Sequence, residues 1–288
     1  MRAAEWKDYS VIATGDGYKL ERWGDVKLLR PDPQVIWKST VNLDNHKGLV
    51  AKYVRSETGG GKWLIKGKMP EEWVVGYKDL KFKIKPMGFK HTGLFPEQAV
   101  NWDLMTDLIK NANREINVLN LFAYTGGATV ACAKAGAKVC HVDAAKGMVE
   151  RAGENVRLSN VGEGKVRYII DDCKKFVERE IRRGKKYDAI IMDPPSYGRG
   201  PNGEMWKLEH ELYSFVQLCA NVLSDDPLFV LINSYTTGLQ PQVLKNILSL
   251  TVANGRGGKI DAYEVGLVTE ENGVILPCGN SGIWINGN

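Results

Sequence analysis

The 288-residue sequence has no apolar run near the roughly 18 to 20 residues that a membrane-crossing helix needs. Its opening, MRAAEWKDYS, shows no basic stretch followed by an apolar one, so no secretory signal is read there and a cytoplasmic protein is expected. Cysteine is scarce and unpaired in pattern. Cys132, Cys140, Cys173, Cys219 and Cys278 are odd in number, widely spaced and free of any C-x-x-C pair, which argues against a disulfide framework and a zinc ribbon. The four histidines, His46, His91, His141 and His210, are equally scattered, and H-E-x-x-H is absent, so no metal site is expected. Internal repeats and low-complexity segments are missing too.

What is present is ordinary globular composition: 43% apolar, 25% charged and 9% aromatic residues, which excludes disorder and fibrous structure. The length suits two domains, or one large α/β domain with an appendage. The net charge of +5 is unevenly spread. Of 39 Lys/Arg and 34 Asp/Glu, residues 1–92 hold 18 and 11, leaving 21 and 23 for the rest. A basic front on a near-neutral body suits a polyanionic partner such as RNA, although a lysine-rich solvated surface has the same composition.

Residues 1–92 read as a small β-rich module. Short β segments at Ser10 to Thr14, Tyr18 to Trp23 and Val26 to Leu29 are separated by Gly15-Asp16-Gly17 and Gly24-Asp25. Others follow at Gly61 to Lys66 and Trp73 to Lys85, where Lys81-Phe82-Lys83-Ile84-Lys85 alternates with period two. From residue 93 to 288 strands alternate with helices, which implies βαβ units and a mainly parallel sheet. Pro96-Glu97 opens a helix with Trp102, Leu104, Met105, Leu108 and Ile109 on its apolar face. Strands are expected at Asn117 to Phe122, Lys138 to Val142, Val166 to Ile170, Tyr187 to Met192 and Leu228 to Asn233. Helices are expected at Ala128 to Ala135, Ala145 to Ser159, Lys174 to Arg183, Glu204 to Leu223 and from Pro241 to about Ala253. Two closing strands, Ala262 to Val268 and Gly282 to Ile285, joined through Glu271-Asn272-Gly273, complete an open doubly wound sheet with an antiparallel terminal hairpin.

Ligands of such sheets bind beyond the carboxyl ends of the strands. After the first strand comes Ala123-Tyr124-Thr125-Gly126-Gly127, where two glycines let the backbone turn sharply and approach a ligand ahead of a helix N-terminus. The spacing is not G-x-G-x-x-G, which disfavours a nicotinamide cofactor. Asp143 follows the second strand, where a carboxylate can hold both hydroxyls of a ribose. Asp171-Asp172-Cys173 follows the third. There Asp172 can accept from an adenine amine, or serve as a helix N-cap. The most specific stretch is Asp193-Pro194-Pro195-Ser196-Tyr197-Gly198-Arg199-Gly200, directly after a buried strand. Two prolines stiffen the turn and leave carbonyls to accept from a planar amine, and Tyr197 offers a stacking surface for a base.

This ordered set resembles the class I S-adenosylmethionine-dependent methyltransferases, and within them the ribosomal RNA large-subunit methyltransferases, the bacterial group that includes cytosine-C5 and guanine-N7 enzymes. The likeness runs over about residues 72 to 286 and includes Leu80 to Leu94, Gly93-Leu94-Phe95-Pro96-Glu97-Gln98 and Leu276-Pro277-Cys278-Gly279. It implies a seven-stranded Rossmann-like methyltransferase domain over 93–288 behind the small β-rich domain of 1–92. It also implies S-adenosyl-L-methionine as cofactor and RNA as substrate. Carried over by position, it puts Ala123, Tyr124, Thr125, Gly126 and Gly127 at the methionine and sulfonium end, Asp143 on the ribose and Asp172 near the adenine. Phe95 and Gln98 close the site, and Asp193, Pro194 and Tyr197 face the methyl acceptor.

Two departures stand out. Residues 1–92 leave no room for the extra RNA-binding domain of the pseudouridine synthase and archaeosine transglycosylase type beside the β module, so RNA binding is expected to rest on the basic front or to be weaker. Methylation at cytosine C5 needs a cysteine thiolate, yet the turns at Asp193-Pro194-Pro195-Ser196 and Asn233-Ser234-Tyr235 carry none. Transfer to a base nitrogen is therefore expected, with Arg199 and Lys207 on a phosphate. The rivals are a methyltransferase acting on a protein or small molecule, an NAD-dependent oxidoreductase, and a non-catalytic RNA-binding protein that retains the pocket. Oligomeric state stays open.

Overall fold

The computed structural model describes residues 2–3, 6–56, 60–88, 90–199 and 205–287. They group into two compact units, Arg2–Val100 with Gly266–Cys278, and Asn101–Val265 with the stretch from Gly279 onward. No helix among the described residues is long and apolar enough to cross a membrane.

The front unit opens with a short β1 (Arg2–Ala3). It then builds a five-stranded sheet in sequence order from β2 (Tyr9–Gly15), β3 (Tyr18–Trp23), β4 (Val26–Pro31), β5 (Leu49–Arg55) and β6 (Gly61–Ile65). The β2–β3 turn needs left-handed backbone at both Asp16 (φ 54°) and Gly17 (φ 81°), the geometry that Asp-Gly pairs supply most readily. Ala13, Leu20, Leu29, Leu43 and Leu49 form its small core. Beneath them Glu21 is fully buried, accepting from Tyr9 Oη at 2.8 Å and from Arg30 Nε at 2.5 Å and Nη2 at 2.8 Å. A separate ribbon follows, β7 (Trp73–Tyr77) and β8 (Leu80–Ile84), in which Leu80, Phe82 and Ile84 are buried between outward lysines as the alternation requires. β5 lies where no strand was expected, because Val50 and Val54 on its outer face disguise the buried Leu49-Ala51-Tyr53 series.

In the second unit the elements are α1 (Ala99–Asn111), β9 (Asn117–Leu121), α2 (Gly127–Lys134), β10 (Lys138–Asp143), α3 (Lys146–Leu158), β11 (Val166–Ile170), α4 (Cys173–Arg182), β12 (Ala189–Met192), β13 (Tyr197–Arg199), β14 (Met205–Lys207), α5 (Leu208–Ala220), β15 (Phe229–Ser234), α6 (Pro241–Leu250), β16 (Lys259–Val268) and β17 (Ile275–Ile285). The strands lie in the order β16-β17-β15-β12-β9-β10-β11. From β15 to β11 all neighbours are parallel, and β17 runs antiparallel to β15. The expected doubly wound sheet and its antiparallel finish are both present. Leu119, Leu121, Ile190, Met192, Val230 and Ile232 alternate onto one face, where Phe176 of α4, Phe215 of α5 and Leu244 and Leu248 of α6 cover them. On the edge between α1 and the sheet, Asn101 donates to Asn233 Oδ1 (3.2 Å) and Ser281 Oγ (2.9 Å) and accepts from Tyr263 Oη (2.6 Å), a fully buried polar knot.

One expected element differs. The helix read over Glu204 to Leu223 begins only at Leu208, since Met205–Lys207 pairs antiparallel with Tyr197–Arg199. Glu204 itself lies outside the described residues. The cause is tertiary: Trp206 is drawn away from a helical path by a 2.7 Å bond from its indole Nε1 to the Pro195 carbonyl, by a tilted ring contact with Phe122 and by an edge contact with Phe215.

Candidate active site at the carboxyl ends of the parallel strands

Strand register sets the site. Leu121 stands level with Val142 and Met192, and Met192 with Ile232. The residues that follow, Phe122, Asp143, Asp193 and Asn233, therefore form one row along the carboxyl edge.

The turn after β9 is a strained and heavily anchored loop. Phe122 (φ 53°) and Tyr124 (φ 50°) both hold left-handed backbone, which costs of order 1 kcal/mol or more for such residues and persists only where surroundings enforce it. Here they do. The Phe122 amide donates to Cys173 Sγ at 3.2 Å, Ala123 N to the Val142 carbonyl at 3.1 Å, and Tyr124 N to Asp143 Oδ2 at 2.8 Å. Asn155 of α3, fully buried, donates to the Thr125 carbonyl at 2.8 Å. Gly126 (φ 82°) is the N-cap of α2, and no side chain caps that helix.

Gly126 makes the sharp turn expected of it, and both glycines have a further cause in packing. A Cβ on Gly126 would stand 2.9 Å from Ala152 Cβ of α3, and one on Gly127 would stand 2.8 Å from the Trp102 ring of α1. Both missing side chains would point into packed protein. The glycines let α2 close against its neighbours.

Asp143 accepts two backbone amides, Tyr124 N at 2.8 Å and Ala145 N at 2.8 Å. Each carboxylate oxygen keeps a further lone pair. Asp172 is the N-cap of α4, accepting from Lys175 N at 2.9 Å through Oδ1. Asp171 pairs with Arg179 and accepts the Asp172 amide at 2.8 Å. Below the loop, His141 is fully buried on β10. Asn120 Nδ2 donates to Thr129 Oγ1 (2.9 Å), leaving the Thr129 hydroxyl proton for His141 Nδ1 (2.9 Å). Burial pushes His141 down to about 4, only partly opposed by the Tyr124 backbone, so the ring is neutral. Sequence patterns did not single out His141, Asn120, Thr129 or Asn155.

After β12, Asp193 is half-buried and Pro194 buried, while Tyr197 is 49% exposed and bonded to Met205 Sδ at 3.5 Å. The expectation of two available proline carbonyls is corrected, because that of Pro195 is taken by Trp206. Ser196 Oγ accepts from Thr236 Oγ1 at 2.7 Å, tying this turn to the one after β15. Lys207 is exposed at the entry to α5, and the Arg199 side chain and Gly200 lie outside the described residues. In the front unit, Phe95 is half-buried ahead of a short 3-10 turn over Pro96–Gln98. Gln98 there is buried.

Burial raises every cysteine thiol. Cys132 goes to about 12 and Cys140 to about 11, while Cys173, Cys219 and Cys278 are pushed well above the ordinary range.

A sheet whose strand order reverses beside β9, with its polar groups gathered where the parallel strands end, has the architecture of a class I methyltransferase. The S-adenosylmethionine-dependent methyltransferase family matches residues 29–221, and the chain belongs to that family. The S-adenosylmethionine-dependent methyltransferase from Agrobacterium tumefaciens is 32% identical in sequence. Its crystal structure superposes with a TM-score of 0.91 over 98% of this chain and 92% of that one. The ribosomal RNA large subunit methyltransferase K/L of Shewanella frigidimarina is 35% identical over 208 residues, 71% of this chain but 27% of its own length. The K/L protein of Methylococcus capsulatus is 31% identical over 147 residues, 51% of this chain and 19% of its own. The chain thus spans less than a third of the length of these two relatives.

Proposed function

We propose that the chain transfers the methyl group of S-adenosyl-L-methionine to a nitrogen of a ribosomal RNA base. The groups present fit the cofactor. The α2 amides lack a side-chain cap and suit a carboxylate, and the spare lone pairs of Asp143 suit ribose hydroxyls. In this reading Ala123, Tyr124, Thr125, Gly126 and Gly127 hold the methionyl end and Asp143 the ribose. The second oxygen of Asp172 takes the adenine amine. When bound, the cofactor supplies a methyl group on a positively charged sulfur, which needs no further activation.

Asp193 and the Pro194 carbonyl orient the acceptor nitrogen so that its lone pair faces the methyl carbon, and Tyr197 stacks on the extruded base. Asp193 would accept the proton that the acceptor nitrogen gives up on methylation and pass it to solvent. The carrying observation is the placement of the cysteines. Addition to cytosine C5 needs a thiolate, yet the turns after β12 and β15 carry no cysteine, and Cys132, Cys140, Cys173 and Cys219 are buried. The names of the K/L relatives and the basic front support RNA as acceptor, and a cytoplasmic site of action follows from that substrate.

Asp193→Ala should leave cofactor affinity unchanged in calorimetry and lower transfer by about 100-fold or more. Mass spectrometry of ribosomal nucleosides from cells with and without the gene should show one missing N-methylated base. Methyl transfer that survives ribonuclease treatment, or a lost 5-methylcytidine, would overturn the assignment.

A further inference from the structure

The β5–β6 hairpin concentrates charge in a way the site above does not use. Residues 47–68 carry Lys47, Lys52, Arg55, Lys62, Lys66 and Lys68 against Glu57 alone. β6 is the last strand of the five-stranded sheet. Its inner side is fixed, with Trp63 Nε1 donating to the Met87 carbonyl at 2.8 Å and Tyr53 Oη to the Gly88 carbonyl at 3.3 Å. Alternation then turns Lys62, Leu64 and Lys66 outward beside Val54 and Lys52 of β5. Lys52 Nζ sits 4.5 Å from the Tyr18 ring centroid and 2.8 Å from Asp44, which also takes Lys66. Among the described residues Lys62 and Lys68 have no anionic partner, and Leu64 and Ile65 are 41% and 54% exposed.

A lysine or two on an edge strand serves to block sheet-to-sheet pairing. That purpose explains neither six cations in 22 residues nor the apolar side chains left bare among them. Resting on the reading of an RNA methyltransferase, we propose that the outer face of β5–β6 is an RNA-docking surface, with lysines on phosphates and Leu64 against sugars or bases.

The full chain is titrated with fluorescently labelled fragments of large-subunit ribosomal RNA across a salt series. The comparison sets wild type against K62Q/K66Q/K68Q and against K110Q/K185Q/K259Q, three exposed lysines of the other unit. The β6 variant should bind at least about tenfold more weakly, with the slope of log K against log salt flattened by about 2 to 3, since each lost phosphate contact removes about 0.7 to 0.9. The control triple, with equal charge loss, should change the slope by less than about 1. Calorimetry should give wild-type cofactor affinity for both. RNA binding by wild type that the β6 variant matches, or that the control weakens equally, overturns this surface alone. A wild-type chain that binds cofactor but no RNA overturns the RNA substrate, and the surface with it.

Discussion

Gly126→Ala separates two accounts of the glycine turn. If the glycine only turns the chain toward a ligand, alanine costs the free protein no more than the strain of left-handed backbone. The structure requires a larger loss. At φ 82° an L side chain is strained by roughly 1 to 2 kcal/mol. The new methyl would also stand 2.9 Å from Ala152 Cβ and 3.3 Å from its Cα, against helix backbone that cannot swing aside. Overpacking of that kind costs about 1 to 3 kcal/mol. A total near 3 kcal/mol lowers the midpoint of the second unit's transition by roughly 6 to 12 °C at about 2 to 4 °C per kcal/mol. Circular dichroism melts of the ligand-free protein measure it. Adding Ala152→Gly should restore part of the loss, because it removes the closer of the two contacts. A double-mutant cycle should then show coupling of about 1 kcal/mol. A single variant melting within about 1 °C of wild type, or a cycle without coupling, would refute the packing account.

Asn101→Ala deprives the buried Tyr263 hydroxyl of its acceptor and Asn233 and Ser281 of a shared donor, and should lower stability by about 2 kcal/mol or more in urea unfolding. A loss under about 0.5 kcal/mol would mean that water substitutes for the amide. For His141 the folded pKa of about 4 lies below the unfolded value near 6.5. The unfolded chain therefore takes up the proton first. Stability is full above about pH 6.5, falls as the pH drops toward about 4, and loses at most about 3 kcal/mol from this group. Urea midpoints of wild type and His141→Gln, measured at about pH 7 and about pH 4.5, should converge on acidification, and parallel curves would reject the assignment.

The order of chemistry along the chain was readable because each piece is local. Asn117–Leu121 and Ala189–Met192 are short buried runs that end in a turn signal, and the acidic residue or Asp-Pro-Pro that follows is part of the same few residues. What the sequence hid depends on partners far along the chain. Trp206 scores as helix until the Pro195 carbonyl and the Phe122 ring, from different turns, claim it. The Asn120–Thr129–His141 series comes from a strand, a helix and the next strand, and no spacing relates them before the βαβ unit closes.

The glycines show the subtler difference. The sharp turn at Gly126 was legible and the close approach of helices was not, because a turn toward a ligand and such an approach demand the same residue. Only the direction of the missing Cβ tells them apart, and here it points to Ala152 and Trp102. The loop thus owes its shape to the protein: α1 and α3 set how close α2 lies, Asn155 and Asp143 fix the backbone at Thr125 and Tyr124, and Cys173 holds the strained Phe122 amide. Under the proposed function, a cofactor meeting such a loop would have little ordering left to impose, so its binding energy would not be spent on folding the turn.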